Sequence, residues 1–304
     1  PRQVENLRDK FPDDIVQAPN LYKKPPRISG DKYTLGYYID EWGCVFRNIH
    51  DGLMGVVQEP LISRLEDAGR YKPPEDVIHL DKKKIGNFCN ATDQFVVAGS
   101  FQRPFERLQF LRTMEQALLD LETEAAGLSD LLEIIHRHYC REIESWSRTP
   151  VDAIGLMDDW GTQHGLMVSP ELFRKYFKPM YREYVSIAKH YGKYVFMHSD
   201  GAIGEIIADL IEIGIDALNA QLFCMDLDEL ARLFSGKITF WGEIDRQHIL
   251  PEGSPEEVEN AVIRIHRLFY KKGGVIAQCE FGPGAKPENI RKVFETWNEI
   301  QSLR

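Results

Sequence analysis

The sequence predicts an α/β fold, a (β/α)8 TIM-type barrel, and three observations carry that prediction. Short apolar runs alternate with helical stretches from about residue 90 to the end of the chain. The runs are continuously apolar, as strands of a parallel sheet covered on both faces are. At least six such units fit in 304 residues, a length that α/β barrels commonly fill as one domain. A doubly wound open sheet shares the alternation and is the second choice. Its nucleotide-binding versions are weakened, because no GxGxxG follows the first strand and no GxxxxGK[ST] occurs.

Taken in order, NLYKKPPRISGDK (20–32) is a Pro- and Lys-rich loop, and YTLGYYIDEWGCVF (33–46) reads as a hairpin or lid-like excursion. One barrel domain over residues 1–304 is expected, with 1–50 as its N-terminal loop and excursion region. The chain opens without Met, so native residues are expected ahead of it. The candidate strands are FVVAGSF (95–101), VDAIGLMDDWG (151–161), KYVFMHSDG (193–201), IDALNAQ (215–221), KITFWGEID (237–245) and GGVIAQCEFG (273–282). Helices fill the intervals. Ser169 can cap a helix with Pro170 at its first position, and Pro179 sits mid-pattern where it kinks or splits that helix. Ile203, Ile206, Ile207, Leu210 and Ile213 share one helical face, which stops at Gly214. Ser254, Pro255 and Glu257 form a capping box, and KPENIRKVFETWNEI is the last helix.

Composition bounds the function. The net charge of -10 argues against a broad nucleic-acid surface, and no apolar run approaches the ~20 residues of a membrane span. The five cysteines (Cys44, Cys89, Cys140, Cys224, Cys279) are scattered and odd in number, without a CxxC. That usage suits a reducing cytoplasm and argues against a disulfide framework.

In a parallel barrel the active site lies at the C-terminal strand ends. Here those ends carry Asp158 and Asp159, His198 and Asp200, Asn219 and Gln221, Glu243 and Asp245, and Gln278, Cys279 and Glu280. Residues two apart on a strand share a face, so His198 and Asp200 both point to the mouth and Ser199 turns away. Asp158 and Asp159 cannot both face inward, so at least one is structural. Each position alone has an ordinary reading, as a helix cap, a hydrogen-bonded histidine or a packed thiol. Five successive polar strand ends around one axis are costly to bury unless a ligand, metal or water satisfies them. Two chemistries suit the set: zinc held by His, Cys and carboxylates, or metal-free acid–base work by an Asp/His/Glu group. Trp160, Trp241 and Phe281 can wall a flat substrate or serve as core; Gln163 and Gln221 are the polar candidates for contacting it.

The segments DEWGCVFRN, FERLQFLRTMEQALLDL, DDWGTQHGLMVSPELFRKYFKPMYREYVSIAKHYGKYVFMHSDG, LIEIGIDALNAQ, FWGEIDRQHILPEGSPEEV and GPGAKPENI together resemble the uroporphyrinogen decarboxylase superfamily, over about residues 40–300. The resemblance implies a (β/α)8 barrel. An MRQAGR-type stretch, whose arginines bind substrate carboxylates in the decarboxylases, does not occur here. The chain looks closer to the corrinoid-linked methyltransferases, whose zinc site has the form His-x-Cys plus a distant Cys. His198 matches the His, Asp200 stands at the first Cys, and Cys279 or Glu280 lies near the second. A carboxylate in place of a thiolate makes a site harder and better suited to polarising an oxygen. The resemblance therefore implies a zinc-dependent methyltransferase of the O-demethylase type. It would move a methyl group from a methyl ether, such as a methoxylated aromatic, to a corrinoid (methylcobalamin-type) cofactor carried by a partner protein. Asp159 or Glu243 would hold or protonate the leaving oxygen. The alternatives are a decarboxylase of an acidic substrate, disfavoured by the acidic strand ends, and a non-catalytic barrel that binds a corrinoid protein or a small ligand.

Overall fold

The computed structural model describes residues 2–280, 282 and 284–302. In chain order its strands are β1 (Ile15–Gln17), β2 (Gly36–Ile39), β3 (Val45–Asn48), β4 (Val56–Val57), β5 (Phe95–Gln102), β6 (Ala153–Met157), β7 (Tyr194–Ser199), β8 (Ala217–Ala220), β9 (Thr239–Trp241) and β10 (Val275–Ile276). All six runs read as strands form strands, and helices occupy the intervals between them. The chain forms two compact units, one of residues 17–158 and 168–195, the other of 1–16, 159–167 and 196–304. Among the described residues no helix is long and apolar enough to cross a membrane.

In the first unit β5 and β6 pair in parallel, with Val97 opposite Ala153 and Phe101 opposite Gly155. A side chain at Gly155 would meet the Phe101 ring at 2.5 Å, so glycine there makes room for the ring. The helix Leu128–Ser147 buries Leu128, Leu131, Leu132, Ile135, Tyr139, Ile143 and Trp146, the three-and-four spacing of one helical face. It packs on the helix Lys178–His190. Pro179 has the effect its position predicts. Phe173–Phe177 run as a π-helical turn before the α-helix resumes at Lys178, because a proline ring cannot accept the regular bond pattern. YTLGYYIDEWGCVF is a hairpin: β2 and β3 are antiparallel and β4 adds a third strand. Asp40, at its turn, accepts the N–H groups of Trp42 and Cys44 and pairs with Arg107 at 2.5 Å. The Arg107 guanidinium also stacks on Trp42, its carbon 4.4 Å from the ring centre. Leaving that buried charge alone would cost about 3–5 kcal/mol.

In the second unit the end of β7 from Phe196, β8, β9 and β10 pair in parallel in that order; Ile203, read as part of a helical face, caps that helix instead and is buried beside it. The helix Gly204–Ile213 buries Ile206, Ile207, Leu210 and Ile213 and stops at Gly214, whose φ of 96° suits a residue without Cβ. The helix Pro255–Phe269 has the full capping box: Ser254 Oγ accepts the Glu257 N–H, and the Glu257 carboxylate accepts the Ser254 N–H. Such a cap is worth about 1 kcal/mol.

Candidate active site

The site is assembled from the end of β7 (196–199), β8 and the segment 159–167, all in the second unit. Strand register sets the first pair. His198 on β7 lies directly opposite Asn219 on β8, so their side chains emerge on one face. Asn219 is buried, and its amide nitrogen donates to the Trp241 carbonyl at 2.9 Å and to Gln278 Oε1 at 2.8 Å. That fixes its oxygen toward His198 Nδ1, 2.5 Å away. An amide oxygen only accepts, so Nδ1 is the donor of this pair and Nε2 is the nitrogen left for another partner.

A backbone crossing brings in the acids. Gly161 N–H donates to the Asp200 carbonyl at 3.1 Å, and Ala202 N–H donates to the Thr162 carbonyl at 2.8 Å. A Cβ at Gly201 would sit 2.2 Å from the Gly161 carbonyl carbon, so the two chains pass this closely only as glycines. Asp159 Oδ1 then accepts the Asp200 N–H at 3.0 Å. His198 Nε2 lies 3.6 Å from Asp159 Oδ1 and 3.5 Å from Asp200 Oδ1. The three donor atoms lie within 4.8 Å of one another, an arrangement able to hold a metal ion. Asp200 Oδ1 is buried and makes no hydrogen bond.

Arg246 had no place in the sequence reading and is central here. Its guanidinium reaches Asp200 Oδ2 at 2.6 Å, Glu243 Oε1 at 3.3 Å and the Glu280 carboxylate. Burial works against its charge, but the Asp200 hydrogen bond and the neighbouring acids leave its pKa raised. The signal was present as an excess of acids at the strand ends, which calls for a nearby cation. Glu243 is buried and its pKa is pushed up to about 8. Desolvation is the main cause; Arg246 opposes it, and Glu280, Asp200 and Asp245 add to it. Cys279 is buried as well, its thiol pushed up to about 12 by desolvation and by Glu243 and Glu280.

The strand-end residues therefore divide. Asp159, His198 and Asp200 come together, whereas Cys279 and Glu280 belong to no such three-ligand group among the described residues. Asp158 is structural: buried in the first unit, it accepts the N–H groups of Phe105 and Glu106 and the Tyr181 hydroxyl. Ser199 is buried, turned away as its register predicts, and accepts the Trp160 N–H at 3.1 Å. Trp160 itself is fully buried, and Trp241 is half-buried against Phe196. Phe281 lies outside the described residues. Gln163 and Gln221 line a small open cleft together with Cys224, Glu243, Arg246 and His248. Gln221 also accepts the Gly201 N–H at 2.9 Å.

Comparison with known proteins places the chain in a family. Among solved structures, one described as a methyltransferase from Methanosarcina mazei is similar in fold. Its TM-score is 0.64 at 14% sequence identity, covering 86% of this chain and 76% of that one. No curated protein matches the sequence. The family model described as uroporphyrinogen decarboxylase (URO-D) matches residues 41–300. With that match spanning most of its length, and with strands and helices in the alternation an α/β TIM-type barrel requires, the chain belongs to the uroporphyrinogen decarboxylase family.

Proposed function

We propose that the protein is a zinc-dependent methyltransferase that moves a methyl group from a small methyl ether, such as a methoxylated aromatic, to a corrinoid carried by a partner protein. One observation carries the reading: His198 Nε2, Asp159 Oδ1 and the unsatisfied Asp200 Oδ1 converge at separations of 3.5 and 3.6 Å. Donor atoms around a tetrahedral zinc stand about 3.4 Å apart, so the residues fit the ion with little movement. A bare buried carboxylate oxygen is costly, and a cation removes that cost. The proposed ligands are His198, Asp200 and Asp159, with Cys279 or Glu280 as candidates for the remaining position. When bound, zinc supplies Lewis acidity to an oxygen.

The chain's own residues do the rest. Asn219 keeps His198 in the ligating tautomer. Glu243 retains its proton at neutral pH and gives it to the departing oxygen. Arg246 holds Asp200 and Glu280 in place and offsets the charge of the acids around them. Gln163, Gln221, Trp160 and Trp241 stand as candidates for contact with the donor. Excluding water and aligning donor with acceptor is the larger catalytic contribution, because a reduced corrinoid is already a strong nucleophile. The family's name suggests a decarboxylase instead, which needs cations free to bind substrate carboxylates. Arg246 is already paired with Asp200, Glu243 and Glu280, which weighs against that reading.

The test is metal content and methyl transfer measured together. Purified protein should carry zinc, which His198→Ala and Asp159→Asn lose and Cys279→Ser loses to a smaller extent. Wild type with a reduced corrinoid protein and a methoxylated aromatic should yield the methylated corrinoid. Zinc-free protein that turns over a carboxylate substrate would overturn the reading.

A further inference from the structure

A second group of metal-ligating side chains lies in the first unit, within residues 17–158 and 168–195. His136 and Cys140 stand four apart on the helix Leu128–Ser147, so they lie one above the other on the same face. Glu183 comes from the helix Lys178–His190, which packs against it. His136 Nε2 is 2.9 Å from Glu183 Oε2, and Cys140 Sγ is 3.8 Å from both ring nitrogens of His136. All three residues offer a donor atom within 4.8 Å of the others.

These separations have a chemical meaning. Around a tetrahedral zinc with bonds of about 2.0–2.1 Å to nitrogen and oxygen and 2.3 Å to sulfur, donors stand about 3.4 Å (N to O) and 3.6 Å (N to S) apart. The observed 2.9 and 3.8 Å differ from those by less than the freedom of one side-chain torsion. The donor types are selective too. Imidazole plus thiolate favours zinc, cobalt or copper over magnesium and calcium, which prefer oxygen. The His136 ring is held against Tyr184, ring centres 5.2 Å apart, which limits how far it can turn. Glu183 is exposed, so the fourth position opens to water.

We propose that His136, Cys140 and Glu183 form a second site, for a zinc-class divalent ion, that clamps the helix Leu128–Ser147 to the helix Lys178–His190. It is independent of the methyltransferase reading, because its ligands are other residues on other elements. On binding, Cys140 gives up its thiol proton to solvent and the ion takes the resulting thiolate; no oxidation is involved.

The experiment uses the full chain carrying Cys279→Ser, so that the His198 site offers no thiolate. It is stripped of metal with a chelator and titrated with Co²⁺ as probe, then with Zn²⁺ in competition. The expected result is a near-ultraviolet sulfur-to-cobalt charge-transfer band that Zn²⁺ abolishes. The band is absent in Cys140→Ser and His136→Ala and is retained in His198→Ala. Glu183→Gln, at an exposed position that leaves folding intact, should weaken Co²⁺ binding about tenfold or more, about 1.4 kcal/mol. No band in the Cys279→Ser background would overturn the site, as would a band there that survives Cys140→Ser or disappears in His198→Ala. Failure here leaves the metal content of the His198 site untouched, so the two proposals fall separately.

Discussion

Asn219 fixes the orientation of the His198 ring. Its oxygen faces Nδ1 at 2.5 Å because its nitrogen is committed to the Trp241 carbonyl and to Gln278. A histidine held this way turns Nε2 toward the two aspartates without having to rotate. Asn219→Ala should therefore lower zinc affinity about 10- to 100-fold while the fold persists. Competition against a chromophoric chelator reads the first effect and circular dichroism the second. Unchanged affinity would separate Asn219 from the site.

Glu243 sets a pH limb. With its pKa pushed up to about 8 by burial, it is mostly protonated at neutral pH and loses its proton above 8. The sign follows from its proposed role as an acid. Methyl transfer should be level below that pH and fall about tenfold per unit above it. Glu243→Gln should remove the limb and lower kcat by about 10²–10⁴. A wild-type rate that climbs above pH 8 would contradict the assignment.

Arg246 competes with any cation for Asp200. Arg246→Met removes one positive charge beside a carboxylate proposed to hold zinc, so zinc should bind more tightly, by about tenfold. Catalysis should fall in the same variant, because Glu280 and Asp200 lose the group that orients them. Isothermal titration with zinc and the methylation assay read the two opposed effects. Weaker zinc binding in this variant would show that Arg246 supports the site rather than contesting it.

Stability should depend on pH through two buried groups of the first unit, with opposite signs. Burial raises Glu142 to about 7 and lowers His138 to about 3. The Glu142 contribution is full below its unfolded value near 4.5 and is lost as pH rises through 7, a change of about 3 kcal/mol. The His138 contribution is full above 6.5 and is lost as pH falls toward 3, about 5 kcal/mol. Between 4.5 and 6.5 the two slopes largely cancel, and below 4.5 stability drops. Glu142→Gln should steepen the acid decline, starting it near 6.5, and raise stability at pH 8. Denaturant melts across that range test both, and an unaltered profile in the variant would refute the assignment.

Much of this site is readable in the sequence because strands impose a period of two. His198, Ser199 and Asp200 take the faces their spacing requires, and the ambiguity between Asp158 and Asp159 resolves as one structural acid and one in the site. Helix signals were equally legible, from the Ser254 cap to the Gly214 stop. What the sequence hid lies in loops, where no period constrains direction. Asp159 approaches Asp200 only because Gly161 and Gly201 cross, and Arg246 follows a strand end in a stretch with no regular structure. The His136–Cys140–Glu183 group was hidden for another reason. Two of its members are spaced as ordinary helix-face residues, and the third arrives from a helix more than forty positions away.

The crossing of Gly161 over Gly201 also governs how this site can change over generations. The main-chain bonds of this crossing set much of the spacing between the two aspartates and survive almost any replacement at positions 159 and 200, while the bond from the Asp200 N–H to Asp159 asks only for another acceptor at 159. A lineage can therefore exchange carboxylate for thiolate or imidazole there and retune which ion or substrate it prefers. The glycines have no such latitude: adding a single methyl group at either one forces the strands apart and dissolves the site without touching a ligand.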